Sequence, residues 1–299
     1  MQELIREITQ KLPETVVKEH EPLARYTSFK IGGPAELLLL PQTASDIPPL
    51  LAILNRCGVP VHILGGGTNL LIPDQGVSGV VLKVGCGGAE RTGENTISVG
   101  SGCAKAAAAV FAQTQGLAGL EFLHGIPGTL GGGISMNAGA YGGELSQVVT
   151  NVTVCDRTGA VTQLPAEALA FDYRHSLFRE RRDLTILSAE LTLTQDDPAA
   201  IRARMDDLMT RRRERQPLEY PSAGSTFKRP AGYFAGKLIE DCGLKGFTVG
   251  GACVSEKHAG FVINRGGATS EDVHRVIDHV QKQVFRTFGV ELVCEIEMW

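Results

Sequence analysis

The stretch GIPGTLGGGISMNAGAYGG, residues 125–143, holds eight glycines in nineteen positions, and none is followed by lysine. Glycine lacks a Cβ, so its backbone can approach a ligand closely and take positive φ. Successive exposed N–H groups form concave nests that suit phosphate. A second run, GGGTNLL (65–71), follows directly on the apolar tetrapeptide VHIL (61–64). Neither is a Walker A loop, because GxxxxGK[ST] is missing, and GGGTNL lacks the third glycine of GxGxxG. Two nests suit a long diphosphate ligand better than a single phosphate. Taken locally, tight turns packed against one another are the alternative reading.

Outward from these loops, short β runs alternate with helical patterns. AELLLL (35–40), VHIL, GVVLKV (79–84) and TISVG (96–100) predict strands. Helices are predicted from Ser45 to about Asn55 and over 103–116, the second closed by Gly116. NVTVCD (151–156), AVTQL (160–164) and TILSAELTLT (185–194) alternate as antiparallel strands do. Near residue 197 the texture changes. DPAAIRARMDDLMTRRRERQP predicts a helix that stops before Pro217, and YPSAGSTFKRP a loop. There follow a helix over 233–243, the strand FVIN (261–264), a long helix from Ser270 to about Phe288, and ELVCEIEM (291–298) as a closing strand. The expected boundary near residue 200 separates domains 1–199 and 200–299.

Glycine accounts for 36 of 299 residues, well above the usual 7% or so, while 43% hydrophobic and 21% charged residues are ordinary for a globular protein. A net charge of −4 gives no reason to expect nucleic acid or an anionic membrane as a partner. Seven scattered cysteines without a CxxC pair predict free thiols in a reducing compartment, and no metal site is expected. The N-terminal MQELIREITQKL has an amphipathic helix pattern without the apolar core of a signal peptide. No apolar run approaches the roughly 18 residues that cross a bilayer. A cytoplasmic protein without membrane insertion is expected.

Six motifs occur in a telling order. YTSFKIGGPAE (26–36), LGGGTNLLIPD (64–74) and GIPGTLGGGISMNAGAYGGE (125–144) come first. FDYRHSLF (171–178), PLEYPSAGSTFKRPAGYFAGKLIEDCGLKG (217–246) and KHAGFVIN (257–264) follow. Together they resemble the UDP-N-acetylenolpyruvoylglucosamine reductase family over nearly the whole chain, from about residue 20. The resemblance implies an α+β protein. Its FAD-binding fold would be of the vanillyl-alcohol-oxidase/p-cresol methylhydroxylase type, with subdomains at about 20–80 and 81–199, followed by a C-terminal α+β substrate domain (200–299). It also implies non-covalent FAD, NADPH as co-substrate, and UDP-N-acetylglucosamine enolpyruvate as the substrate reduced for bacterial cell-wall synthesis. The chain is too short for the extra tyrosine-bearing insertion of the longer family branch, and so resembles the shorter one.

Site residues carry over motif by motif. By resemblance, Gly65, Gly66, Gly67, Thr68, Asn69 and Leu70 line the FAD on the first loop. On the second loop, Ile126, Pro127, Gly128 and Thr129 do so with Gly132, Gly133, Asn137, Ala138 and Gly139. Ser225 in PSAGSTF matches the family's proton donor; locally it reads as a turn serine. Arg174 in FDYRHSLF matches the arginine that pairs with the enolpyruvyl carboxylate, a task that suits a planar guanidinium. On a period-two strand Glu291, Glu295 and Glu297 share one face, so alternation cannot choose among them. Alignment favours Glu295 as the third catalytic residue, with Cys294 where the family usually has proline. Tyr173, Arg215, Lys228 and Arg229 are expected at the substrate, Arg229 standing where another branch has asparagine. Two other functions fit parts of the pattern. A flavin oxidase or dehydrogenase of a hydroxy acid or sugar lactone would leave the 217–246 motif unexplained. A nucleotide-binding regulatory module would leave Arg174, Ser225 and Glu295 without purpose.

Overall fold

The computed structural model describes all 299 residues, which divide into two compact units. The first unit comprises residues 1–19, 37–66 and 78–210; the second comprises 20–36, 67–77 and 211–299. The C-terminal stretch 211–299 thus joins two short segments from the N-terminal third, 20–36 and 67–77. Seven α-helices occur in order: α1 (Gln2–Lys11), α2 (Ile47–Arg56), α3 (Lys105–Thr114), α4 (Leu130–Ser135), α5 (Pro198–Arg215), α6 (Ala235–Asp241) and α7 (Ser270–Phe288).

The first unit is built on two sheets. One has four strands in the order Val16–Pro22, Pro34–Leu40, Val77–Lys83, Val61–Leu64, the last two parallel with Leu64 opposite Lys83. Leu4 and Ile8, one turn apart on α1, and Leu50, Leu51 and Leu54 on α2 share a core with Leu37, Leu39, Val80 and Leu82 of this sheet. Pro48 and Pro49 sit in the first turn of α2, where a missing N–H costs no helical bond.

The other sheet has five strands in the order Val161–Pro165, Val149–Cys155, Thr185–Thr192, Thr96–Gly100, Ala89–Arg91, every pair antiparallel. Its alternation is the one expected from sequence: Val152 and Val154 point into the core with Ala189 and Leu191. The small face Ala108, Ala109, Ala112 of α3 shares that core with Leu130 and Ile134 of α4.

In the second unit a four-stranded antiparallel sheet runs Ser222–Ser225, Phe261–Asn264, Ala252–Val254, Thr248–Val249. Val273, Val276, Ile277, Val280 and Val284 recur every three or four residues along α7 and share a core with Leu238 and Ile239 of α6. Each such fully buried side chain contributes about 1.5–3 kcal/mol. Thr269 caps α7 by accepting from the Asp272 N–H, and Gly289 ends it at φ 67°.

Two expectations require correction here. The tail ELVCEIEM is not a continuous strand: only Glu297–Met298 pairs, parallel to Leu70–Leu71, with an isolated bridge between Cys294 and Phe227 upstream. PSAGSTF, expected as loop, contains the strand Ser222–Ser225, hidden by residues of low β propensity. Tertiary pairing overrode local preference in both segments.

Candidate active site

In the first unit, the parallel strand Val61–Leu64 delivers Gly65 and Gly66 against the second glycine loop. A Cβ on Gly66 would lie 2.6 Å from the Gly128 Cα, and one on Gly65 would lie 2.7 Å from Thr129 Oγ1. Bare backbone is therefore required where the two loops meet. The second loop is in turn held by 101–105: Gly131 donates to the Ser101 carbonyl at 2.8 Å, Leu130 to Cys103 at 2.8 Å, and Lys105 to the Gly128 carbonyl at 3.0 Å. Pro127, Thr129, Gly132 and Gly133 ring the start of α4, and Ile126 packs on the core beneath.

Two buried hydroxyls at this place, Ser101 Oγ and Thr129 Oγ1, have no hydrogen-bond partner in the protein. A buried hydroxyl left unsatisfied costs about 1–3 kcal/mol, and a ligand oxygen or anion would remove that cost. Glycines that tolerate no Cβ together with orphaned donors are what a backbone-lined dinucleotide site demands, so the residues present fit FAD.

The FDYRHSLF motif is fastened to the same stretch. Asn137, completely buried, donates from Nδ2 to the Asp172 carbonyl at 3.1 Å and accepts from the Ser146 N–H at 2.9 Å. Arg174 donates from its guanidinium to the Gly139 carbonyl at 2.9 Å and lies over the Tyr173 ring, 5.0 Å from its centroid. Ser176 donates to the Ser135 carbonyl at 2.9 Å. Both Asn137 (φ 42°) and Arg174 (φ 54°) take the left-handed backbone that side chains other than glycine seldom adopt. Such strain concentrates at functional sites. Ala138 is buried and Tyr173 exposed.

The second unit gathers the other motifs. Gly67 (φ 61°) comes so near the Tyr26 carbonyl that a Cβ would lie 2.1 Å away, and the Ser28 N–H donates to the Gly67 carbonyl at 3.0 Å. Ser28 Oγ donates to the Ser222 carbonyl at 2.7 Å. Asn69 donates from Nδ2 to the Glu295 carbonyl at 3.0 Å and accepts from the Glu297 N–H at 2.9 Å. Thr68, Asn69 and Leu70 therefore stand beside the C-terminal tail.

Ser225 and Glu295 are brought together along this tail. The Glu295 N–H donates to the Thr226 carbonyl and the Lys228 N–H to the Val293 carbonyl, both at 2.8 Å. Opposite the strand Phe261–Asn264, Ser222 faces Ile263 and Ser225 faces Phe261: three steps against two, which is a β-bulge. Gly224 at φ 81° accommodates it. The bulge re-aims Ser225 relative to a regular strand. Neither tail bond uses the Cys294 N–H, so a proline at 294 would remove no pairing; burial pushes the Cys294 thiol up in pKa.

Glu291 is exposed, Glu295 and Glu297 half-buried. Arg229 is exposed, donating to the Tyr233 carbonyl at 3.3 Å with its guanidinium 3.9 Å from the Phe234 ring centroid. Arg215 is exposed at the end of α5. Sequence reasoning missed the supporting residues Ser28, Asp74, Lys83, Ser101 and Asn264. Asp74 accepts from the Ser270 N–H at 2.8 Å at the start of α7, and Asn264 donates to the Phe29 carbonyl at 3.1 Å. The only signal for Lys83 was a lone charge inside the apolar run GVVLKV.

The fold and its backbone-lined loops define a flavin-dependent oxidoreductase: residues 35–164 match the profile of an FAD binding domain. Residues 216–299 match that of the UDP-N-acetylenolpyruvoylglucosamine reductase C-terminal domain. The chain is 45% identical to the UDP-N-acetylenolpyruvoylglucosamine reductase of Caldanaerobacter subterraneus subsp. tengcongensis, over 99% of this chain and 97% of that one. It is 46% identical to the reductase of Pediococcus pentosaceus, over 97% of each. The crystal structure of the reductase from Thermus caldophilus superimposes with a TM-score of 0.81 at 33% identity, covering 95% of this chain and 99% of that one. The chain belongs to the UDP-N-acetylenolpyruvoylglucosamine reductase family, and its fold is an FAD-binding fold plus the reductase's own C-terminal domain. The hydroxy-acid or lactone oxidase reading is not favoured, because the C-terminal match is to the reductase's domain.

Proposed function

We propose that the chain reduces the enolpyruvyl ether of UDP-N-acetylglucosamine to UDP-N-acetylmuramate in the cytoplasm, with NADPH as reductant, supplying a precursor for the cell wall and hence for cell shape and division. The FAD would be held non-covalently by Gly65–Leu70, Ile126–Thr129, Gly132, Gly133 and Asn137–Gly139. Residues 1–199 would serve the cofactor and 200–299 the substrate. When bound, FAD would supply the hydride for reduction of the alkene. The chain's own residues must then stabilise charge beside the substrate carboxylate and deliver one proton.

Arg174 pairs with that carboxylate. Its strained backbone and its bond to the Gly139 carbonyl support a preset orientation, which lowers the cost of binding. Ser225 gives the proton. The observation that carries this reading is the bulge that re-aims Ser225 beside the Glu295 segment. Glu295 orients the charged groups or assists the proton, Tyr173, Lys228 and Arg229 line the substrate, and Arg215 meets its diphosphate.

Separating the half-reactions tests the assignment. Ser225→Ala should leave flavin reduction by NADPH nearly unchanged while reoxidation by the enolpyruvyl substrate slows about 10²–10⁴-fold. Stopped-flow traces in which both halves slow equally would refute the role of Ser225.

A further inference from the structure

Lys83 ends the strand Val77–Lys83 directly opposite Leu64, the last residue before the first glycine loop. Its Nζ donates to the Gly65 carbonyl at 3.2 Å. Burial lowers the pKa of this ammonium, and no carboxylate offsets the effect. A half-buried cation served by one carbonyl is held at a cost, which a bound anion would offset. An independent sign lies beside the same glycine. Thr129 Oγ1 is buried without a partner, 2.7 Å from where a Gly65 Cβ would stand. A cation bonded to Gly65 and an orphaned hydroxyl facing it both call for negatively charged oxygen.

We infer that Lys83 is a positioning residue for the FAD: its ammonium holds the Gly65 carbonyl and supplies the positive charge that faces the cofactor's diphosphate. The inference rests on the assignment of the two glycine loops to FAD. Backbone N–H groups carry only partial charges, so one full positive charge in a half-buried setting adds what the glycines cannot. Thr129 acts as a neutral donor to the same anion. The parallel pairing explains the placement, since the C-terminal ends of neighbouring parallel strands are where such ligands bind in α/β sheets.

The test is equilibrium binding of FAD to the apoprotein, followed by flavin fluorescence at two ionic strengths, for the wild type, Lys83→Met and Lys83→Arg. A hydrogen-bonded charge contributes about 1.5–3 kcal/mol, so Lys83→Met should raise the Kd for FAD about ten- to a hundredfold and weaken its dependence on salt. Lys83→Arg should recover most of that loss. Thermal melts of the apoproteins establish that each variant is folded, and Lys83→Gln takes the place of Lys83→Met if the latter is not. A folded, uncharged variant with wild-type affinity overturns the inference. So does an arginine variant as impaired as the methionine one, because shape and not charge would then be what matters. A wild-type protein that takes up no FAD would refute the loop assignment instead, so the two failures are distinguishable.

Discussion

Replacing Asn137 by alanine probes how the glycine stretch governs the placement of Arg174. The side chain is wholly buried, donates to the Asp172 carbonyl and accepts from the Ser146 N–H. Alanine leaves the half-buried Ser146 N–H without its acceptor, at about 1–3 kcal/mol, whereas the exposed Asp172 carbonyl keeps the His175 N–H. The backbone at φ 42° adds a penalty of roughly 1 kcal/mol, because alanine lacks the local hydrogen bonding that lets asparagine occupy the left-handed region. The sum is about 2–4 kcal/mol. At roughly 2–4 °C per kcal/mol for a chain of this size, the melting temperature should fall by about 4–16 °C. Asn137→Gly loses the same bonds without the backbone strain, so it should be about 1 kcal/mol less damaged than alanine.

Because Asp172 is two residues before Arg174, both variants should also lower the rate of flavin reoxidation by substrate. Calorimetric melts of the apoproteins, paired with stopped-flow reoxidation, provide the readouts. An alanine variant melting within about 3 °C of wild type would refute the reasoning, since the buried bonds would then contribute far less than their desolvation implies.

The tail yields two further predictions. Glu295→Gln should lower the substrate-dependent rate by orders of magnitude, whereas Glu291→Gln and Glu297→Gln should change it less than about tenfold. A large loss at 291 or 297 in single-mutant kinetics would move the catalytic acid. Cys294→Pro should fold, melt within about 3 °C of wild type and keep activity, because the pairing with 226–228 does not use the Cys294 N–H. Loss of soluble protein would show that this N–H or the thiol is structurally required.

What the sequence determined by itself was local or ordered along the chain. The valine row of α7, the alternation in 149–155 and 185–192, and the alanine face of α3 were legible because helix and strand periods are set by neighbouring residues. The two glycine loops were legible because only glycine serves where backbones nearly touch, as at Gly66 and Gly67. Six motifs in one order identified the family, which 45% identity over nearly the whole chain bears out.

Tertiary structure alone decided which distant segments share a unit. Nothing local in 20–36 or 67–77 marks them as partners of the C-terminal residues. The bonds that tie them there join Ser28 to Ser222 and Asn69 to Glu295, 194 and 226 positions apart. The tail shows the same physics. Eight residues with a strand-like pattern form only the pair at Glu297–Met298 and one isolated bridge at Cys294, because a ladder needs partner backbone and Leu70–Leu71 and Phe227 supply it only at those points. The bulge that re-aims Ser225 and the cation that Lys83 brings to Gly65 likewise depend on pairing register. Register is a property of two segments at once, and no single segment carries it.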